Sequence, residues 1–170
     1  MNYFIVILRL IHILGGVFWV GSAVFSGFFV FPAVDATGDA GKKFLEYMVA
    51  RAKVSTRIAI SAVLAVLTGG WLYWIDSAGF TSGWKNSGAG LGFGIGGVLG
   101  LIGFVTGGLG SRERAAFVKL TAGISDGKPT GEQMDQIQKI QARSNRWGLI
   151  SNIALILVVA CMATARYWRF

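Results

Sequence analysis

The chain has one cysteine, one histidine, two prolines and only 14% charged residues. Each scarcity excludes something. The lone Cys161 leaves no internal disulfide and no zinc site built from several thiolates, and in its apolar run it reads as a small packing residue. The single histidine, His12, rules out a bis-histidine haem site within one chain. No apolar span carries an interior Asp or Glu, which argues against a proton-coupled transporter working through a carboxylate relay. No acid–base pair or nucleophile triad can be assembled from the spans, so the sequence leans away from an enzyme.

Apolar surface is what the chain has in quantity. Hydrophobic residues make up 54% of it and the mean hydropathy is +0.59, more than a water-soluble core of 170 residues can hide. An integral membrane protein of one domain, residues 1–170, follows. Four apolar spans stand out, at about 3–31, 54–76, 90–110 and 147–168. The first is not read as a cleaved signal peptide: it has no basic leader, is about twice the usual length and contains Arg9.

The net charge of +8 would suggest nucleic acid in a soluble chain. Here the basic residues are grouped in loops, so the partner expected is the lipid bilayer and no nucleic acid. Arg9, Lys85, Arg166 and Arg169 lie on one side, and the other twelve of the sixteen Lys and Arg lie in the first and third loops. The positive-inside rule places those loops in the cytoplasm and both termini outside. The aromatic residues Tyr3, Trp71, Tyr73, Trp74, Trp84, Tyr167 and Trp168 gather near the outer interface, with Tyr47 and Trp147 near the inner one.

The loops carry local signals. Asp39 is the expected N-cap of a helix that starts in water at Ala40, presents Phe44, Met48 and Ala52 on one face and runs straight into the second span. The stretch Ser77–Gly90 is a short irregular loop by its Gly, Ser and Asn content. Helical periodicity continues past the third span for about three turns, then breaks at DGKPT, residues 126–130. Thr130 with Gln133 makes a capping-box start for the last helix. The expected fold is therefore all-α: a four-helix membrane bundle with helices three and four extended into a cytoplasmic hairpin.

Candidate function concentrates in the first span. At ~100° per residue Arg9, His12, Gly15, Gly16, Trp19, Ser22, Ala23 and Ser26 fall within roughly 140° of arc, opposite a face of Ile, Val, Leu and Phe. That small and polar stripe faces protein, cofactor or water. Arg9 either snorkels to the headgroups, with Asp76 as partner, or holds an anion such as a haem propionate. His12 either bonds across the bundle or ligates a metal or haem. Met162, on the last span at a level His12 can reach by helical rise, is the candidate second ligand, and five-coordinate haem or histidines from two protomers stay open. In the third span Gly92, Gly96, Gly100, Gly103 and Gly107 form a ridge for close helix packing or a flat wall for a tetrapyrrole or quinone.

The stretch LRLIHILGGVFWVGS, with four spans and both termini outside, resembles the superfamily of small bacterial membrane proteins around the CopD copper-resistance domain and the haem-binding HemJ. It is most similar to the small branch of that superfamily that has no assigned activity. Those proteins also open with a helix bearing a histidine, then small residues and a tryptophan, here His12, Gly15, Gly16, Trp19 and Gly21. The resemblance implies a four-helix membrane bundle with a site near His12 and haem b as its cofactor. The third span has no histidine or lysine, and the methionines and histidines of a copper path are absent. The function expected is a haem-b-binding redox or electron-transfer protein. Arg9, His12, Gly16, Trp19, Gly96, Gly100 and Met162 are its cofactor-binding residues, and His12 and Met162 its metal ligands. Handling or transport of copper or a small solute, and a non-catalytic accessory subunit of a homo-oligomer or larger membrane complex, are the alternatives.

Overall fold

A computed structural model describes residues 2–124 and 129–170. The chain is 88% helical, with no strand among the described residues. Helix α1 is Tyr3–Ala36, opened by the Asn2 side chain accepting from the Phe4 amide. Helix α2 is Asp39–Glu46, continued by a wide turn Tyr47–Arg51. Helices α3, Val54–Asp76, α4, Gly88–Ala122, and α5, Gly131–Thr164, follow. Thr130 and Gln133 cap α5 reciprocally, as their spacing predicts. The expected break at residues 126–130 is described only from Pro129; residues 126–128 lie outside the described part.

α1, α3, α4 and α5 are each long and apolar enough to cross a membrane. Their outward surface is apolar, with Leu14, Val17 and Leu67 about two-thirds exposed. No water-soluble protein sustains such a surface on four helices, so this is a multi-pass membrane protein in contact with lipid.

Two seams hold the bundle. α4 and α5 run antiparallel along the glycine ridge. A Cβ built on Gly92 would meet Ala165, one on Gly96 would meet Met162 and Cys161, one on Gly103 would meet Leu155, and one on Gly107 would meet the Ser151 hydroxyl. Every step along α4 is matched by an equal step back along α5, so the ridge is a packing surface between these two helices. Ser151 adds an interhelical hydrogen bond to the Gly103 carbonyl at 2.9 Å. α1 and α3 form the second seam, where Gly15 brings the two backbones together, its Cβ position 3.2 Å from the Ser61 carbonyl oxygen. The seams join where Trp19 of α1, Ala62 and Ala65 of α3 and Leu155 of α5 make one buried cluster, with Phe104 of α4 edge-on to Trp19 at 6.2 Å.

A second apolar cluster lies at the other end of the long helices, where Val34, Leu45 and Phe117 are buried beneath Val118, Ile137 and Ile140. Beside it the Arg114 guanidinium stacks on the Phe31 ring at 3.3 Å. Leu45 of α2 is buried against Val34 and Phe117, and Gly41 against Val34, while Phe44 is half exposed. Two expectations are corrected here. Gly38, at φ 58°, takes the N-cap position expected of Asp39, since the tight turn after α1 needs the left-handed region. And α2 does not run straight into α3: the Ala52 amide closes the wide turn onto Tyr47, and Lys53 at φ 49° breaks the path.

α1 also continues past its expected end. The chain widens at Ser26–Val30, with the Phe31 amide bonded to the Ser26 carbonyl, just ahead of Pro32. A proline ring clashes with the carbonyl four residues earlier in a regular helix, and a wide turn at that point relieves it. The helix therefore survives its proline. At the same turn Gly27 lies directly against the Asn152 side chain of α5.

Candidate functional site

His12 projects from α1 into the seam with α3. Its Nδ1 lies 2.8 Å from the main-chain oxygen of Ala65. A carbonyl oxygen only accepts, so Nδ1 carries the ring proton and donates it, and in the neutral imidazole the Nε2 lone pair is left free. Ala65 offers this carbonyl as a side acceptor within a helix, and Thr68 Oγ1 shares it at 3.3 Å.

Gly69 makes the room. A Cβ there would stand 2.6 Å from the imidazole Cε1 and 2.9 Å from Nδ1. Any side chain at 69 would push the ring off the Ala65 carbonyl, so glycine is required by the close approach. Sequence reasoning passed over this residue. Its signal was the Gly69-Gly70 pair inside an otherwise apolar span, where glycine is costly by ~1 kcal/mol and needs a reason.

One turn nearer the helix start, Arg9 faces Asp76 at the end of α3. The nearest N–O separation is 3.9 Å, with both side chains more than a third exposed. That is the Asp76 partnership considered from sequence, and it is loose: an exposed pair at this distance is worth ~0–1 kcal/mol and leaves guanidinium donors uncommitted.

The remaining candidates separate. Trp19 is buried in the central cluster, edge-on to Phe104, and acts as packing for the four helices. Gly16, one turn below His12, has nothing within 4 Å of its Cβ position, so it packs against no neighbouring helix there. Met162 belongs to the α4–α5 seam, its Cε 2.9 Å from the Cβ position of Gly96. Gly100 has only Val158, at 3.9 Å. Thus His12, Ala65 and Gly69 are drawn into one seam with Arg9 and Asp76 near its end, whereas Met162, Gly96 and Gly100 lie in the other seam.

This arrangement is suited to presenting a single neutral imidazole nitrogen. No group of three or more His, Cys, Asp and Glu side chains able to hold a metal occurs among the described residues. Any ion bound at His12 would need most of its ligands from elsewhere, as a porphyrin supplies them. A ligating histidine whose other nitrogen donates to a main-chain carbonyl is the usual arrangement at haem and metal centres, since it fixes tautomer and ring orientation. The bond to Ala65 is also the cross-bundle contact that the sequence allowed for His12. The sequence matches no protein-family model, no curated protein and no solved structure.

Proposed function

We propose that the protein binds haem b in the bacterial cytoplasmic membrane and serves as a redox or electron-transfer component. The observation that carries this reading is the His12 Nδ1–H bond to Ala65 at 2.8 Å, which leaves Nε2 as the nitrogen able to ligate. His12 would hold the haem iron through Nε2. Arg9, held loosely by Asp76, has donors left for a propionate. The bound haem would supply one-electron chemistry between its ferrous and ferric states. The chain's own part is to hold the imidazole in one tautomer, to place a cation above it and to exclude water with the apolar helices. Met162, packed on Gly96 in the α4–α5 seam, would have to leave that contact to serve as a second ligand.

In this reading both termini face outward, and the part of α4 after residue 110 and the part of α5 before residue 147 form a hairpin in the cytoplasm. The grouping of basic residues in the first and third loops supports that orientation.

An absorption spectrum of the purified protein tests the reading. A Soret band and a reduced-minus-oxidised difference spectrum are expected, and both should be lost or strongly shifted in His12→Ala. A parent protein that stays colourless after haem supplementation overturns the proposal. Full haem content in His12→Ala would move the ligand elsewhere.

A further inference from the structure

Beside Tyr73 of α3 the surface of α4 holds a groove of about 400 Å³, lined by Tyr73, Leu91, Gly94, Ile95, Val98 and Leu99. It lies among apolar spans and is separate from the His12 seam. Gly94 gives it depth: a Cβ there would stand 3.1 Å from the Tyr73 hydroxyl. That hydroxyl marks the end of the groove toward the α3–α4 loop, donating to the Gly90 carbonyl at 3.2 Å.

The next residue outward is basic. The Cβ position of Gly90 abuts the main chain of Trp84 and Lys85. The Lys85 ammonium is tied down by donating to the Phe80 carbonyl at 2.7 Å. The Phe80 ring in turn lies 6.1 Å from that of Tyr73. An ammonium with three donors that spends one on a carbonyl keeps two for an anion. Between the loop and the membrane interior the surface therefore offers a cation on the loop, a hydroxyl whose oxygen can still accept, and an apolar channel.

We propose that this groove seats one acyl chain of an anionic phospholipid, with the lipid phosphate at Lys85. The order of cation, hydroxyl and apolar wall matches phosphate, glycerol ester and hydrocarbon in a lipid standing upright in its leaflet. Charge selects the headgroup. The loop of residues 77–87 contains no Asp or Glu, so the one formal charge carried by the loop itself is the Lys85 ammonium. An anionic headgroup such as phosphatidylglycerol is attracted to it, and the cation of choline or ethanolamine is not.

Native mass spectrometry of the full chain in detergent, titrated with phosphatidylglycerol or phosphatidylcholine of identical acyl chains, tests this. Other basic loops attract the same lipid, so the comparison of parent with variants is the readout. The parent should prefer phosphatidylglycerol by about fivefold more than Lys85→Gln does, the worth of one basic residue at a membrane surface. Val98→Trp, at a position 59% exposed, should fill the groove and remove one bound lipid of either kind. Should that variant fail to elute as a folded species, Leu91→Trp at 43% exposure blocks the groove nearer the loop. An unchanged preference in Lys85→Gln, or unchanged lipid occupancy in a folded groove-blocking variant, overturns the proposal.

Discussion

His12 on the first membrane helix and Ala65 on the second are joined by a hydrogen bond of 2.8 Å that uses the imidazole proton on Nδ1. Within apolar surroundings such a bond is not exchanged for one to water, so it fixes both the orientation of the ring and the tautomer. The proton on one nitrogen decides what the other can do. An imidazole held this way offers a lone pair at a fixed place, and Gly69 is what allows the two helices to hold it.

Gly69→Ala should therefore act on His12 without touching its chemistry. The added methyl would collide with ring atoms at 2.6 and 2.9 Å, and the ring is the more mobile partner. We expect haem content to fall or the Soret maximum to move, with helical content unchanged. Gly70→Ala is the matched control, since nothing lies within 4 Å of its Cβ position. Equal spectra for the two variants would show that the imidazole does not hold the cofactor in the seam seen here.

The glycine ridge makes a graded prediction. Gly103→Ala would place a methyl 2.8 Å from a Leu155 carbon, and Leu155 is fully buried at the junction of the seams. Overpacking of this kind costs about 1–3 kcal/mol. Gly100→Ala meets only Val158 at an ordinary 3.9 Å and should be neutral or slightly stabilising, as replacing a helical glycine by alanine gains helix propensity. Thermal unfolding in detergent should rank Gly100→Ala above Gly103→Ala. The reverse order would mean that α4 and α5 do not meet along this face.

Much of this architecture was legible in advance because the signals were long. Four apolar runs, a ridge of glycines at spacings of three and four, and the Thr130–Gln133 capping box each specify structure locally. The paths of α1 and α2 were less legible. A proline ordinarily ends a helix, and only the wide turn at Ser26–Val30 shows how α1 passes Pro32. Lys53 in a left-handed conformation has no sequence mark at all, being neither Gly nor Asn. At the site the stripe of Arg9, His12 and Gly16 was visible as periodicity. The Ala65 carbonyl was not, since a main-chain acceptor leaves no trace in residue type.

Orientation can be read with cysteines placed at exposed, described positions. In a Cys161→Ala background, Asn86→Cys lies in the α3–α4 loop and Gln138→Cys on the first part of α5. With twelve basic residues grouped in the first and third loops, a membrane-impermeant thiol reagent on intact cells should label Asn86→Cys and miss Gln138→Cys. Labelling of Gln138→Cys alone would turn the His12 end of the bundle toward the cytoplasm.

Arg9 and Asp76 allow a structural role to be separated from a cofactor role. The pair is 3.9 Å apart and partly exposed, so breaking it from either side should lower thermal stability by no more than about 1 kcal/mol. If pairing with Asp76 were all Arg9 did, Arg9→Gln and Asp76→Asn would behave alike. A propionate partner makes them differ. A hydrogen bond to a charged group contributes about 1.5–3 kcal/mol, so Arg9→Gln should weaken haem retention at least tenfold while leaving the absorption maxima nearly in place. Asp76→Asn removes the competitor for the guanidinium and should retain haem as well as the parent or better. Haem dissociation followed by transfer to an apo-globin acceptor measures both variants directly. Equal rates in the two would leave Arg9 as a helix-end ion pair and His12 without a companion.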